Sequence, residues 1–332
     1  MYGTKFYSVN EELFLTPRTL SAMRKSAKYG FKEASELFEE AKRRSLVNGH
    51  SYSIMISMIA DGSSPDVDKA FELFEEAKNQ RPSLADAITY GSMLKVIANS
   101  SSPDVGKAFE LFEEAKNQRP SLANTIIYHS MLDVIANSSE PDICKGLDLF
   151  REAIERGLAD GVIYNSMLAV IAKICDINSV NENLYVLANS ILQQKQKNFN
   201  CPDLRDGDVL DLHEMSYGEV YFGLKNRLEN ELQNKSQTSG ELLIIYGKGI
   251  HSRNKYKLTD HPLKKAVKRV ISELANPTIF IKENARNLGQ IVLVISPKIS
   301  LTTHSVFKPK ILFSNSGANA DETQSPGKNS ML

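Results

Sequence analysis

The sequence predicts an all-α solenoid of helical hairpins followed by an α/β two-layer sandwich with the order βαβαββ. Two repeated words and one change of periodicity carry that prediction. "ASELFEEAKRR", "AFELFEEAKNQ" (twice) and "GLDLFREAIER" begin at Ala34, Ala70, Ala108 and Gly146, a period of about 36 to 38 residues, within the range of helical solenoid repeats. "HSYSIMISMIA", "AITYGSMLKVIA", "TIIYHSMLDVIA" and "GVIYNSMLAVIA" keep step with them, with Tyr52, Tyr90, Tyr128 and Tyr164 in register. From about Asp203 the pattern becomes short apolar strands alternating with helices.

Within a repeat, Tyr90, Met93, Leu94 and Ile97 recur at i, i+3, i+4 and i+7, as do Ala108, Leu111, Phe112 and Ala115. Both segments are therefore expected to be amphipathic helices. "ANSSSPD" and "ANSSEPD" supply the stop and restart, with Pro103 and Asp104 suited to a helix N-terminus. One such hairpin cannot bury both faces, so stacked neighbours make the core and leave a concave surface. The expected organisation is an N-terminal segment over 1–15, about four to five hairpins over 16–200, the α/β domain over 205–297, and a partly disordered tail over 298–332.

In the second half, "DVLDLH" and "GELLIIYG" read as strands, "SYGEVYFGLKNRLENELQN" and "HPLKKAVKRVISELAN" as helices, and "TIFIKEN" with "GQIVLVIS" as a hairpin. Period two sets Asp211 and His213 on one face of their strand and Leu210 and Leu212 on the other. Parallel strands end side by side, so Asp211 and His213 should meet the loop that follows Tyr246. That loop carries Gly247, Lys248, Gly249, His251, Ser252, Arg253, Lys255 and Lys257, and the helix after it carries Lys264, Lys265, Lys268 and Arg269. Gly247 and Gly249 permit a close backbone approach to phosphate and the cations attract it. His261, before Pro262, reads as a helix start.

Composition excludes several classes. The 332 residues are 42% hydrophobic and 24% charged with a formal net charge of zero, so a nucleic acid or membrane partner would need a local patch. Cys144, Cys175 and Cys201 lack zinc or disulfide spacing, which fits a reducing compartment. With no signal, transit or transmembrane segment, the expectation is a cytoplasmic protein with no membrane partner.

The repeat words resemble the pentatricopeptide repeat, whose first helix carries a Tyr-x-x-hydrophobic-hydrophobic word and whose second carries Leu-Phe-x-x-hydrophobic, as in "ITYGSML" and "KAFELFEEAKNQ". The resemblance implies that the residue after each tyrosine and the last residue of the repeat read one base of single-stranded RNA. The implied pairs are Ser53 with Asp86, Gly91 with Asn124, His129 with Asp160, and Asn165 with a residue near Asn198. His50, Ile88, Ile126 and Val162 would sandwich the bases.

The words "LDLH", "GKGIHSR", "LKKAV" and "NLGQIVLVI", over Asp208 to Ile295, resemble the Smr (small MutS-related) domain. That resemblance implies nucleic-acid binding and endonuclease activity, with Asp211, His213, Gly247, Gly249, His251 and Ser252 at the family's motif positions. The chain departs from the pattern at Glu214, where the family has glycine, and at Tyr246, where it has Thr or His.

Two chemical routes are open. In a metal-independent one, His213 and His251 act as base and acid, Lys248 and Arg253 stabilise the phosphorane charge, and Asp211 orients His213. In a metal-assisted one, Asp211 and Glu214 hold Mg²⁺ or Mn²⁺. Three functions follow: an RNA endonuclease guided by the array, with DNA as an alternative substrate; a non-catalytic RNA binder; or a protein-binding scaffold that recruits the Smr-like domain to a ribosome or other complex. The acidic Glu75, Glu76, Glu113 and Glu114 favour the last unless they face away from the groove.

Overall fold

The computed structural model describes residues 17–25, 30–118, 120–177, 182–199, 204, 208–233, 240–246, 261–283 and 289–295. Among these residues ten helices come first: α1 (Pro17–Lys25), α2 (Phe31–Arg43), α3 (Gly49–Ala60), α4 (Val67–Asn79), α5 (Ala87–Asn99), α6 (Val105–Asn117), α7 (Thr125–Asn137), α8 (Ile143–Glu155), α9 (Gly161–Ile177) and α10 (Glu182–Phe199). Then follow β1 (Val209–Asp211), α11 (Tyr217–Gln233), β2 (Gly240–Ile245), α12 (Pro262–Leu274), β3 (Ile279–Glu283) and β4 (Gln290–Ile295). The segments 1–15 and 298–332, for which an N-terminal segment and a partly disordered tail were expected, lie outside the described residues.

The helices alternate in character. The tyrosine-bearing α3, α5, α7 and α9 are buried nearly all round and pack on one another in a continuous row that α1 extends. The phenylalanine-bearing α2, α4, α6 and α8 bury a single stripe; in α6 it is Ala108, Leu111, Phe112 and Ala115, the spacing predicted for it. Asp66, Asp104 and Asp142 cap the second helices, each accepting hydrogen bonds from backbone N–H groups two or three residues on. Asn99 and Asn137, at the ends of α5 and α7, donate to the carbonyls of Ala60 and Ala98 at 2.9 and 3.1 Å. Those bonds satisfy carbonyls that a helix C-terminus leaves without partners.

A repeated polar and aromatic ladder joins the two rows. Phe38, Phe74, Phe112 and Phe150 meet Tyr52, Tyr90, Tyr128 and Tyr164 edge to face, with centroids 4.9–5.1 Å apart. Such a pair contributes about 1 kcal/mol beyond its area. Tyr52 and Tyr90 donate their hydroxyls to Glu76 and Glu114, both at 2.8 Å. Lys42 and Lys78 reach the same two carboxylates in the following repeat, at 2.7 and 2.8 Å, while also pairing with Glu39 and Glu75 on their own helices. The repeat acids are thus held by lysines on the second-helix side, with Glu113 paired to Lys116 in the same way.

The four strands form one sheet in the order β1-β2-β4-β3, with β1 parallel to β2 and the remaining neighbours antiparallel. The two crossovers, β1-α11-β2 and β2-α12-β3, step across the sheet in the same direction, so right-handed connections set both helices on one face. Leu210, Leu242, Ile244, Ile291 and Leu293 point into that covered face, while Val209 and Phe280 are exposed. The predicted strand at "DVLDLH" is only three residues long, because the chain turns immediately after it, with Met215 N–H bonded to the Leu212 carbonyl at 3.1 Å.

Helix α11 is central. It packs on α9 and α10 on one side and on α12 on the other, and its residues from Gly218 to Lys225 are all buried. A side chain at Gly218 would put its Cβ 2.8 Å from Leu168 Cβ and 3.1 Å from the Leu168 backbone carbon. Only glycine allows α11 to lie this close to α9. Of the cysteines, Cys144 is an exposed free thiol and Cys175 a buried one.

Candidate functional site

β1 ends at Asp211, paired in register with Ile245 at the end of β2, and the Leu212 N–H bonds the Ile245 carbonyl at 2.8 Å. The parallel pairing expected to bring the two strand ends together is therefore present. Asp211 and His213 project from this end, both exposed, while Leu210 and Leu212 are buried on the opposite side. Asp211 Oδ1 accepts from the His213 backbone N–H at 3.0 Å and pairs with His213 Nδ1 at 2.5 Å. The His213 side-chain bond, followed by the backbone bond, holds the Asp211 carboxyl below its usual range. With Nδ1 bonded to the carboxylate, Nε2 is the nitrogen left for proton transfer, the arrangement of an oriented general base.

Tyr246, the last described residue before the glycine-rich loop, is buried, and its ring packs against His261 with centroids 5.3 Å apart. His261 caps α12 through Nδ1, which accepts from Leu263 N–H at 3.3 Å, with Pro262 at the first turn, as its place before a proline implied. Burial, and secondarily the neighbouring His213, lowers the His261 pKa. His261 therefore stands close to the dyad. Gly247, Lys248, Gly249, His251, Ser252, Arg253, Lys255 and Lys257 lie outside the described residues.

On α12, Lys265 and Lys268 are exposed and Lys264 is half-buried. Arg269 departs from the basic face expected of this helix. It turns inward to an ion pair with Asp176 of α9, bonds Glu273 at 2.7 Å and the Tyr217 hydroxyl at 3.3 Å, and stacks 4.1 Å above the Tyr221 ring. Glu214 is exposed beside the dyad. Asp211 Oδ1 is taken up by His213, and among the described residues no three His, Cys, Asp or Glu side chains converge as metal ligands.

Along the tyrosine helices, the positions with an implied base-reading role have structural partners. Ser53 is buried and donates to the His50 carbonyl at 3.0 Å. Asp86, Asn124 and Asp160 are the N-caps of α5, α7 and α9, accepting from Thr89, from Ile126 and Ile127, and from Val162 and Ile163. Gly91 lies against Ile126, with only 2.7 Å between a Cβ there and Ile126 Cγ2. His129 Nδ1 pairs with Ser166 Oγ at 2.6 Å and its Nε2 lies 3.4 Å from Asp133, whose pKa burial pushes up. Asn165 accepts from Lys195 Nζ at 2.8 Å, and Asn198 donates to the Tyr164 hydroxyl at 3.2 Å. The sandwiching positions Ile88, Ile126 and Val162 are 46–47% exposed, and His50 is exposed too. They form a recurrent line of accessible side chains at the N-terminal ends of the row, aliphatic in three of its four places.

Sequence reasoning missed Lys195 and Glu219, which form an ion pair 6% and 3% exposed at the junction of α10 and α11. "SYGE" carries the Ser-x-x-Glu spacing of a capping box and could have flagged Glu219; nothing in "ILQQKQK" distinguishes Lys195. No family model matches the chain, and no curated protein matches its sequence.

Proposed function

We propose that the chain binds single-stranded RNA along its row of tyrosine helices and cleaves it at the Asp211–His213 dyad, the role that the likeness to pentatricopeptide and Smr sequences implies. The observation that carries the reading is the dyad itself: an exposed imidazole held by a carboxylate at the C-terminal end of a parallel strand pair, where the chain runs on into "GKGIHSR". His213 Nε2 takes the proton of the ribose 2′-hydroxyl. The freed oxygen attacks phosphorus, the bond to the 5′-oxygen breaks, and that oxygen takes a proton from a second imidazole, for which His251 is the candidate. Lys248 and Arg253 offset the charge on the phosphorane. The pairing of the repeat acids with lysines on the second-helix side supports RNA over a protein ligand on the opposite row.

The test is incubation with end-labelled single-stranded RNA and DNA, in EDTA and separately with Mg²⁺ or Mn²⁺, beside His213→Ala, His251→Ala and Asp211→Asn. The expected result is RNA cleavage in EDTA that falls 10²-fold or more, as a rough guide, in each variant while circular dichroism is unchanged. Metal-dependent cleavage of both nucleic acids would favour Asp211 and Glu214 as ligands. A binding-only role is the second reading, favoured by the exposed Glu214, whose carboxylate beside the dyad repels phosphate; salt-sensitive RNA retention without cleavage would establish it.

A further inference from the structure

We infer that Lys195 and Glu219 are positioning residues for the Asp211–His213 dyad and tie it to Asn165, the last base-facing position of the array; the base-facing role of Asn165 rests on the function proposed above. The connection is continuous. Asn165 Oδ1 accepts from Lys195 Nζ at 2.8 Å, and Lys195 Nζ pairs with Glu219 Oε1. Glu219 Oε2 accepts from the Ser216 backbone N–H at 2.7 Å, and Ser216 Oγ accepts from the Glu219 N–H at 3.3 Å. These last two bonds are a capping box that fixes the start of α11.

His213 sits between two anchors. Upstream, Leu212 is bonded to Ile245 of β2; downstream, after a turn closed by Met215 N–H on the Leu212 carbonyl, comes Ser216. The sheet register sets the first anchor and Glu219 sets the second. A capping-box glutamate is ordinarily left in water, whereas this one is 3% exposed against a lysine 6% exposed. Burying such a pair seldom adds net stability, because desolvation of both charges offsets their attraction. What the pair does supply is a fixed place for the cap relative to the array. Among the described residues, the charged or titratable groups around His213 are Asp211 at the end of β1, Glu214 beside it and His261 from α12.

The experiment follows the His213 ring nitrogens by long-range ¹H–¹⁵N correlation in the full chain, assigned by loss of the signal in His213→Asn. Lys195→Met, Glu219→Gln (glutamine preserves the capping box) and Asn165→Ala are compared with Asp176→Asn, which removes the Arg269 contact between the same two layers at another point. Wild type should hold one neutral tautomer, with the proton on Nδ1. Lys195→Met and Glu219→Gln should give a tautomer mixture, Asn165→Ala a smaller share of the second tautomer, and Asp176→Asn should keep the wild-type tautomer.

If Lys195→Met and Glu219→Gln lower Tm while His213 keeps its wild-type tautomer, the pair is only structural and the inference falls. An unmoved His213 in Asn165→Ala alone would remove the tie to the array. Should Lys195→Met fail to fold, Glu219→Gln decides. None of these outcomes depends on cleavage, so absence of nuclease activity would overturn the proposed function and leave this result standing.

Discussion

Asp86, Asn124 and Asp160 end one repeat and begin the next. Each has its side-chain oxygen bonded to backbone N–H groups of the helix it opens. Substituting Asp160→Ala leaves the Val162 and Ile163 N–H groups without their acceptor, and urea denaturation should report a loss of about 1 kcal/mol. The cap was legible: an Asp or Asn directly before an apolar run, with Thr89 three places after Asp86, is the local signature. What the sequence could not disclose is that His129 leans on Ser166 of the next tyrosine helix, α9, because that contact depends on how these helices stack. The dyad was legible for a simpler reason. Burial alternates from Leu210 to His213, which sets Asp211 and His213 on a common side although the strand itself ends at Asp211; that early end and the direct bond between them had to come from the structure.

At the level of the element, α11 is the instructive case. Its span was readable from "SYGEVYFGLKNRLENELQN", but its surroundings were not. Glu219, Lys225 and Arg227 are buried there, and polar residues at those positions give the pattern of a helix with one wet side. Their partners explain the discrepancy: Glu219 meets Lys195, Lys225 meets Glu273 at 2.9 Å, and Arg227 meets Glu231 and the Leu204 carbonyl. Gly218→Ala should force α11 away from Leu168 and cost about 2 kcal/mol in urea denaturation. Gly240→Ala, where a Cβ meets nothing within 4 Å, is the matched control and should change stability by less than about 0.5 kcal/mol. The repeat helices, by contrast, were read nearly intact, because their stripes recur in step and the ladder of Phe38, Tyr52, Lys42 and Glu76 is written into the repeated words.

Across the whole molecule, the described residues belong to one compact unit, and charge pairs lie along the seam between array and sheet. Burial alone would raise the Glu273 carboxyl, but Lys225, Tyr221 and Arg269 together hold it below its ordinary 4.5. A carboxyl depressed in the folded state stabilises fully above its unfolded pKa, and that contribution disappears as pH falls through the folded value. Asp176, on the other side of Arg269, is moved upward by burial, so it acts in the opposite sense. Glu273→Gln should therefore be less stable than wild type above pH 4.5, with the gap closing as acid is added, in urea midpoints measured across that range. A gap that is constant with pH would show that the carboxyl's charge contributes nothing.

The central place of α11 also bears on how the chain is made. Translation releases the array first, and α9 and α10 then carry Leu168 and Leu192, apolar side chains that α11 later covers, in contact with water. Until α11 has followed α10 out of the ribosome, the last hairpin has an unfinished, adhesive end. When α11 emerges it has a prepared surface to land on, and β1 and β2 then pair across a helix that is already seated. The array thus serves as the template on which the sheet is assembled, and a chain arrested between α10 and α11 is the species that chaperones would have to guard.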